Sequence, residues 1–313
     1  MDSRKLIIIL LSIILAVFYG DIIKSQNSEE LKMIKSAESS FEYQTMQNDK
    51  WNDIESFLDL IHKNNINTME FYLFGAEKGY EKVEATNDGY LPFYQQKSPQ
   101  IIDEIVPASN TYIRPGRSRK STKYIVIHNT GMAAPTANAD ILSRSINNST
   151  RAASWHFTVD DNNIYQQLGI DEVGWHAGNK EGNEYGIGIE IWVYKGIDFN
   201  TAMRNAAQLT AKLLIDYNLE FDAIKQHYDF TGKNCPQVIR EAGRWEEFIE
   251  LVKIEYLGQT KFADVGFKWF SMSPQVFDNH GRIIKKTNQI RYRVEVMYQG
   301  KTQDYYYTSQ INY

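Results

Sequence analysis

The stretch QHYDFTGKNCP, residues 226–236, holds the only cysteine of the chain, Cys235, eight residues after His227 and two after Lys233. A thiolate and an imidazole at that spacing are candidate metal ligands. Far upstream, His128 follows the apolar run of KYIVIHNTG and supplies a second imidazole. Two imidazoles and one thiolate leave a fourth tetrahedral position for water, the arrangement of a catalytic zinc; a structural zinc takes all four ligands from protein, and His176 is the obvious fourth candidate. Glu190, inside the apolar GIGIEIWV, is a second anomaly. A carboxylate buried in a strand costs several kcal/mol unless it is paired or put to use. Residue types alone leave plainer readings open: His128 as a core histidine, His227 as a loop residue, Cys235 as a small buried hydrophobe, Glu190 as the partner of an arginine.

These side chains need elements to bring them together. KYIVIHNTG predicts a buried strand that ends at polar residues and glycine, directing His128 toward an edge of a sheet. SWHFTVDDNNIYQQL predicts a hairpin turning at Asp161, Asn162 and Asn163, and YGIGIEIWVY predicts a further strand. Between Asn200 and Tyr217, the residues Met203, Ala206, Leu209, Leu213 and Tyr217 recur at helical spacing, and RWEEFIELVKIEY predicts a last helix. Strands interleaved with helices imply an α/β domain with one central mixed sheet flanked by helices.

Five separated blocks then gain meaning from their order: YIVIHNTG, SWHFTVD, WHAG, IGIEI and QHYDFTGKNCP. Together they resemble the zinc-dependent N-acetylmuramoyl-L-alanine amidases of the type-2 amidase family, relatives of phage lysozyme-amidases and of peptidoglycan recognition proteins. The resemblance covers roughly residues 108–256. It implies one zinc ion held by His128, His227 and Cys235, with Glu190 as general base and Lys233 as the group that stabilises the oxyanion. The implied reaction is hydrolysis of the amide between N-acetylmuramic acid and L-alanine, with peptidoglycan glycan strand and stem peptide as the partner. Trp155 stands where some members carry a catalytic tyrosine, which moves the base role toward Glu190. Asn129, His176 and Trp155 are expected to meet substrate or orient a ligand, and His156 to be structural. A non-catalytic peptidoglycan-binding receptor of the same fold is the competing reading. Such relatives typically lack the metal-binding cysteine, whereas this chain keeps Cys235.

Composition bounds the remainder. The 313 residues are 42% hydrophobic and 23% charged with a net charge of −5, and no Lys/Arg block is present, which argues against a nucleic-acid partner. One cysteine excludes an intramolecular disulfide. Residues 1–25 place Arg4 and Lys5 before an apolar run from Leu6 to Gly20, predicting either a cleaved signal peptide or an uncleaved anchor. Export to the cell surface or beyond follows from either, with membrane contact through that segment alone and a monomeric protein. Residues 26–107 read as a helical stalk and accessory segment. In it Leu31, Ile34 and Ala37, then Ile54, Phe57, Leu58 and Ile61, are spaced helically, His62 is a surface residue, and MEFYLFGAEKGYEKVEA is a short hairpin. Residues 108–257 form the catalytic domain, and 258–313 a small β-rich module with a hairpin turn at Gln299, Gly300 and Lys301.

Overall fold

The computed structural model describes residues 49–64, 70–75, 79–84, 94, 99–132, 138–147, 149–194, 197–279, 284–285 and 287–310. The expected N-terminal apolar segment and the helical positions at Leu31, Ile34 and Ala37 lie outside them. The chain divides into two compact units, Met1–Phe57 and Leu58–Tyr313. In the first, residues 49–57 are helical, with Trp51, Ile54 and Phe57 buried. In the second, residues 58–63 are helical, with Leu58 and Ile61 buried. Strands β1 (Glu70–Gly75) and β2 (Gly79–Glu84) follow as an antiparallel hairpin.

The larger unit is built on a six-stranded mixed sheet in the order β3-β6-β5-β7-β4-β8. Its strands are β3 (Ile101–Asp103), β4 (Tyr124–Met132), β5 (Phe157–Val159), β6 (Ile164–Gln166), β7 (Gly186–Tyr194) and β8 (Ile224–Gln226). At the centre β7 runs parallel to both β4 and β5, and β8 pairs parallel with β4. β5 and β6 form the antiparallel hairpin expected at Asp161–Asn163. Its turn is held by Asp160 Oδ1, which accepts from the backbone N–H groups of Asn162 and Asn163. β3 adds parallel to β6, so the sheet begins upstream of the expected boundary at residue 108.

The central strands are covered on both faces, hence their nearly unbroken apolar character. In β7 every residue except Glu190 is buried, and Ile125, Val126 and Ile127 of β4 are fully buried. Helix α1 (Ala139–Ile146) lies against β5 and β6, and α2 (Lys180–Tyr185) against β4 and β7. The long α3 (Phe199–Tyr217) packs on β4, β5 and β7, and α6 (Trp245–Gln259) packs against α3. α3 buries Met203, Ala206, Leu209 and Leu213 as the spacing predicts, while Tyr217 stays half-buried. Asp198 caps α3 by accepting from the Thr201 N–H, and Asn218 ends it in the left-handed region at φ 50°. Between β8 and α6 come two short helices, α4 (Tyr228–Thr231) and α5 (Gln237–Glu241).

After α6, strands β9 (Gly266–Ser271), β10 (Gln289–Tyr298) and β11 (Lys301–Gln310) form a three-stranded antiparallel sheet. Gln299 and Gly300 make its hairpin turn, both at positive φ. The alternation of β10 is realised: Ile290, Tyr292, Val294 and Val296 are buried. His62 departs from the expectation of a surface residue. It is half-buried, its Nδ1 lies 2.6 Å from the Tyr292 hydroxyl, and its ring packs on Tyr307 at 4.6 Å.

Candidate metal centre and its cavity

β4 does not end at His128, which is the fifth of its nine residues. It is the neighbouring strand that stops. β8 pairs only as far as Gln226, opposite Ile127, and the next amide, His227 N–H, donates to the Ile127 carbonyl at 3.3 Å. His227 therefore steps off the sheet beside His128, with ring centroids 4.9 Å apart. The chain then closes a loop: α4 ends at Gly232, whose φ of 72° favours glycine, and the Tyr228 N–H donates to the Cys235 carbonyl at 2.9 Å. This returns Cys235 to His128, with Sγ 3.7 Å from Nδ1.

Ligand atoms of His128, His227 and Cys235 all lie within 4.8 Å of one another, and all three residues are buried. Tetrahedral zinc bound by one nitrogen and one sulfur separates those atoms by about 3.6 Å. The spacing and the donor set therefore suit zinc. In the protein without metal, burial pushes His227 down to about 4 and His128 well below its ordinary value, so both imidazoles are neutral at pH 7 with a lone pair to offer. Burial first, and Glu190 second, push the Cys235 thiol up to about 12, so the thiolate is formed only when a cation takes the place of the proton.

Glu190 stands opposite His128 in the parallel register of β4 and β7, so the two share a face of the sheet. No arginine pairs with it among the described residues: Oε2 is buried and has no hydrogen-bonding partner. Burial raises its carboxyl to about 8, against the opposing pull of Lys233 and Arg151. Lys233 is exposed, in the loop between the two C-terminal ligands, and its charge reaches His227, Cys235 and Glu190 together.

A cavity of about 730 Å³ opens over this face, lined by the three ligands, Glu190 and Lys233. The other expected site residues reach it as well. Asn129 is buried beneath it and accepts through Oδ1 from the Val238 N–H at 2.8 Å, tying the start of α5 to β4 just beyond Cys235. Trp155 lines the cavity, donates from Nε1 to Thr158 Oγ1 at 2.7 Å and packs on Val106, Ile113 and Ile146. His176 also lines the cavity, but both ring nitrogens face protein partners: Nδ1 lies 3.1 Å from His128 Nε2, and Nε2 lies 3.3 Å from the Gly186 carbonyl. His156 is structural, as expected, with Nε2 on the Glu172 carbonyl and Nδ1 accepting from the Gly188 N–H. Sequence reasoning missed Arg151 and Trp192 in the cavity wall. Trp192 could have been found, because it is two residues after Glu190 on one strand and so shares its face. Arg151 sits in an irregular loop, with no periodicity to mark it.

Part of the chain is similar to known proteins. The family model described as N-acetylmuramoyl-L-alanine amidase matches residues 118–238. The amidase CwlH of Bacillus subtilis is 40% identical over 152 residues, which cover 48% of this chain and 59% of that protein. The amidase XlyA of the same organism is 38% identical over 150 residues, covering 47% and 49%. The chain thus spans about half to three-fifths of the length of these relatives. The solved catalytic domain of XlyA is 37% identical, with 49% of this chain and 99% of that one covered at a TM-score of 0.46. Through residues 118–238, which contain all three converging ligands and Glu190, the chain belongs to the type-2 N-acetylmuramoyl-L-alanine amidase family.

Proposed function

We propose that the protein hydrolyses the amide bond between the lactyl group of N-acetylmuramic acid and L-alanine in peptidoglycan, with one zinc ion held by His128, His227 and Cys235. The observation that carries this reading is the unpartnered Oε2 of Glu190 on the same sheet face as His128, inside the cavity that the ligand trio lines. Zinc at such a site supplies Lewis acidity, lowering the pKa of a water to about 7 and polarising a carbonyl. Glu190, as the carboxylate that a neighbouring cation favours, accepts the proton of the attacking water and holds it until the C–N bond breaks. It then delivers the proton to the departing nitrogen, leaving a lactyl carboxylate and the free α-amine of alanine. Lys233 stabilises the negative charge developing on the carbonyl oxygen, a contact worth about 2.7–4 kcal/mol when the donor is preorganised. Trp155, Trp175 and Trp192 offer aromatic surface for sugar and peptide along the cavity.

Action on peptidoglycan places the protein outside the cytoplasm. The basic-then-apolar residues 1–25 supply the means as a signal peptide or anchor. No helix of the described residues is long and apolar enough to cross a membrane.

The test is incubation of the purified protein with peptidoglycan and measurement of new N-terminal alanine. Release is expected from wild type and abolished by chelation or by Cys235→Ala. Full activity after complete metal removal overturns the zinc mechanism. Tight binding to peptidoglycan without any new amine supports the receptor reading instead.

A further inference from the structure

We propose that His176 is a positioning residue that sets the tautomer of His128, so that Nδ1 of His128 is the atom presented to the metal; this rests on the zinc site proposed above. The Gly186 carbonyl 3.3 Å from His176 Nε2 can only accept, so that nitrogen carries the hydrogen. In a neutral ring the other nitrogen, Nδ1, is then an acceptor. Its neighbour at 3.1 Å is His128 Nε2, which must therefore donate. His128 is left with its lone pair on Nδ1, the nitrogen 3.7 Å from Cys235 Sγ. A chain of two hydrogen bonds anchored on one backbone carbonyl thus decides which nitrogen of a ligand is bare. Metal-bound histidines depend on such outer partners for both ring orientation and basicity.

The strand is cut to fit this ring. A Cβ at Gly188 would lie 2.7 Å from His176 Cγ and one at Gly174 3.0 Å from Cδ2, whereas one at Gly186 would first meet the Gly182 carbonyl oxygen. Gly188 and Gly174 therefore open the slot in which His176 lies, and the rings of His128 and His176 cross nearly edge to face at 89°. A residue serving only as cavity wall would need neither the slot nor the two internal hydrogen bonds.

Two variants separate acceptor from filler. His176→Asn keeps an oxygen acceptor near the position of Nδ1, whereas His176→Leu fills space without one. Zinc affinity of the purified full chain, by competition with a chromophoric chelator, is expected to fall 10–100-fold in His176→Leu. His176→Asn should stay within about threefold of wild type, and the cobalt(II)-substituted protein should keep its visible spectrum in that variant alone. Melting of the metal-free proteins checks that both variants fold. Unchanged zinc affinity in His176→Leu, or an equal loss in both variants, overturns the proposal. Failure of wild type to bind zinc overturns the site itself, while zinc binding without amide hydrolysis overturns only the proposed reaction.

Discussion

Glu190 has a carboxyl oxygen sealed from solvent with no donor among the described residues to meet it, which a purely structural side chain would not tolerate cheaply. Burial raises the carboxyl to about 8 in the metal-free protein, and a cation bound beside it would oppose that rise and favour the carboxylate that can accept a proton. Glu190→Gln keeps the shape and removes the proton-accepting oxygen. Turnover should fall by about 10²–10⁴, the usual worth of a positioned base, while zinc affinity stays within about threefold. Steady-state release of alanine-terminated peptides, beside a chelator competition, measures both. An active Glu190→Gln enzyme would remove the base role from this residue. The anomaly was readable in the sequence, since a charge inside GIGIEIWV is costly unless it is paired or put to use. Its lack of an arginine partner was not readable, because pairing depends on which side chains arrive from elsewhere.

At the scale of the element, β7 works as a ruler. Gly186, Gly188, Glu190 and Trp192 alternate onto one face, Gly188 giving room to His176, Glu190 carrying the carboxyl and Trp192 walling the cavity. Gly188→Ala keeps the strand but drives a methyl to 2.7 Å from a ring that hydrogen bonds hold at both nitrogens. Neither can yield easily. We expect about 1–3 kcal/mol of destabilisation, the usual cost of overpacking, read by chemical denaturation of the metal-free protein. A loss of zinc affinity should accompany it as the ring shifts off His128, and a variant as stable as wild type would show that the slot is loose. Strand character here was legible from the apolar run, but the use of Gly188 was not, because the ring it admits comes from a separate loop. The position of His128 shows a similar limit. The sequence placed it at a strand end, yet β4 continues, and the opening at the site comes from the early stop of β8.

Across the whole molecule, legibility followed the range of the contacts. The domain of residues 118–238 announced itself through short ordered blocks, whereas His62 read as a surface residue because its partners, Tyr292 and Tyr307, lie more than 200 positions away. The molecule's response to acid integrates several such burials. His156 is fully buried and both its nitrogens are used in the neutral form, so burial lowers it to about 3 from an ordinary 6.5. The unfolded chain therefore binds a proton that the folded chain refuses throughout the window between those values. Stability is fully present above pH 6.5 and is lost as pH falls toward 3, at up to about 1.4 kcal/mol per pH unit from this residue. Denaturant midpoints of the metal-free protein at pH 7.5, 6 and 5 should decline accordingly. His156→Gln, less stable at pH 7.5 through its poorer fit, should decline less steeply because one refused proton is gone. Equal slopes for the two proteins would mean that His156 takes up its proton while folded, and that the acid sensitivity resides in other groups.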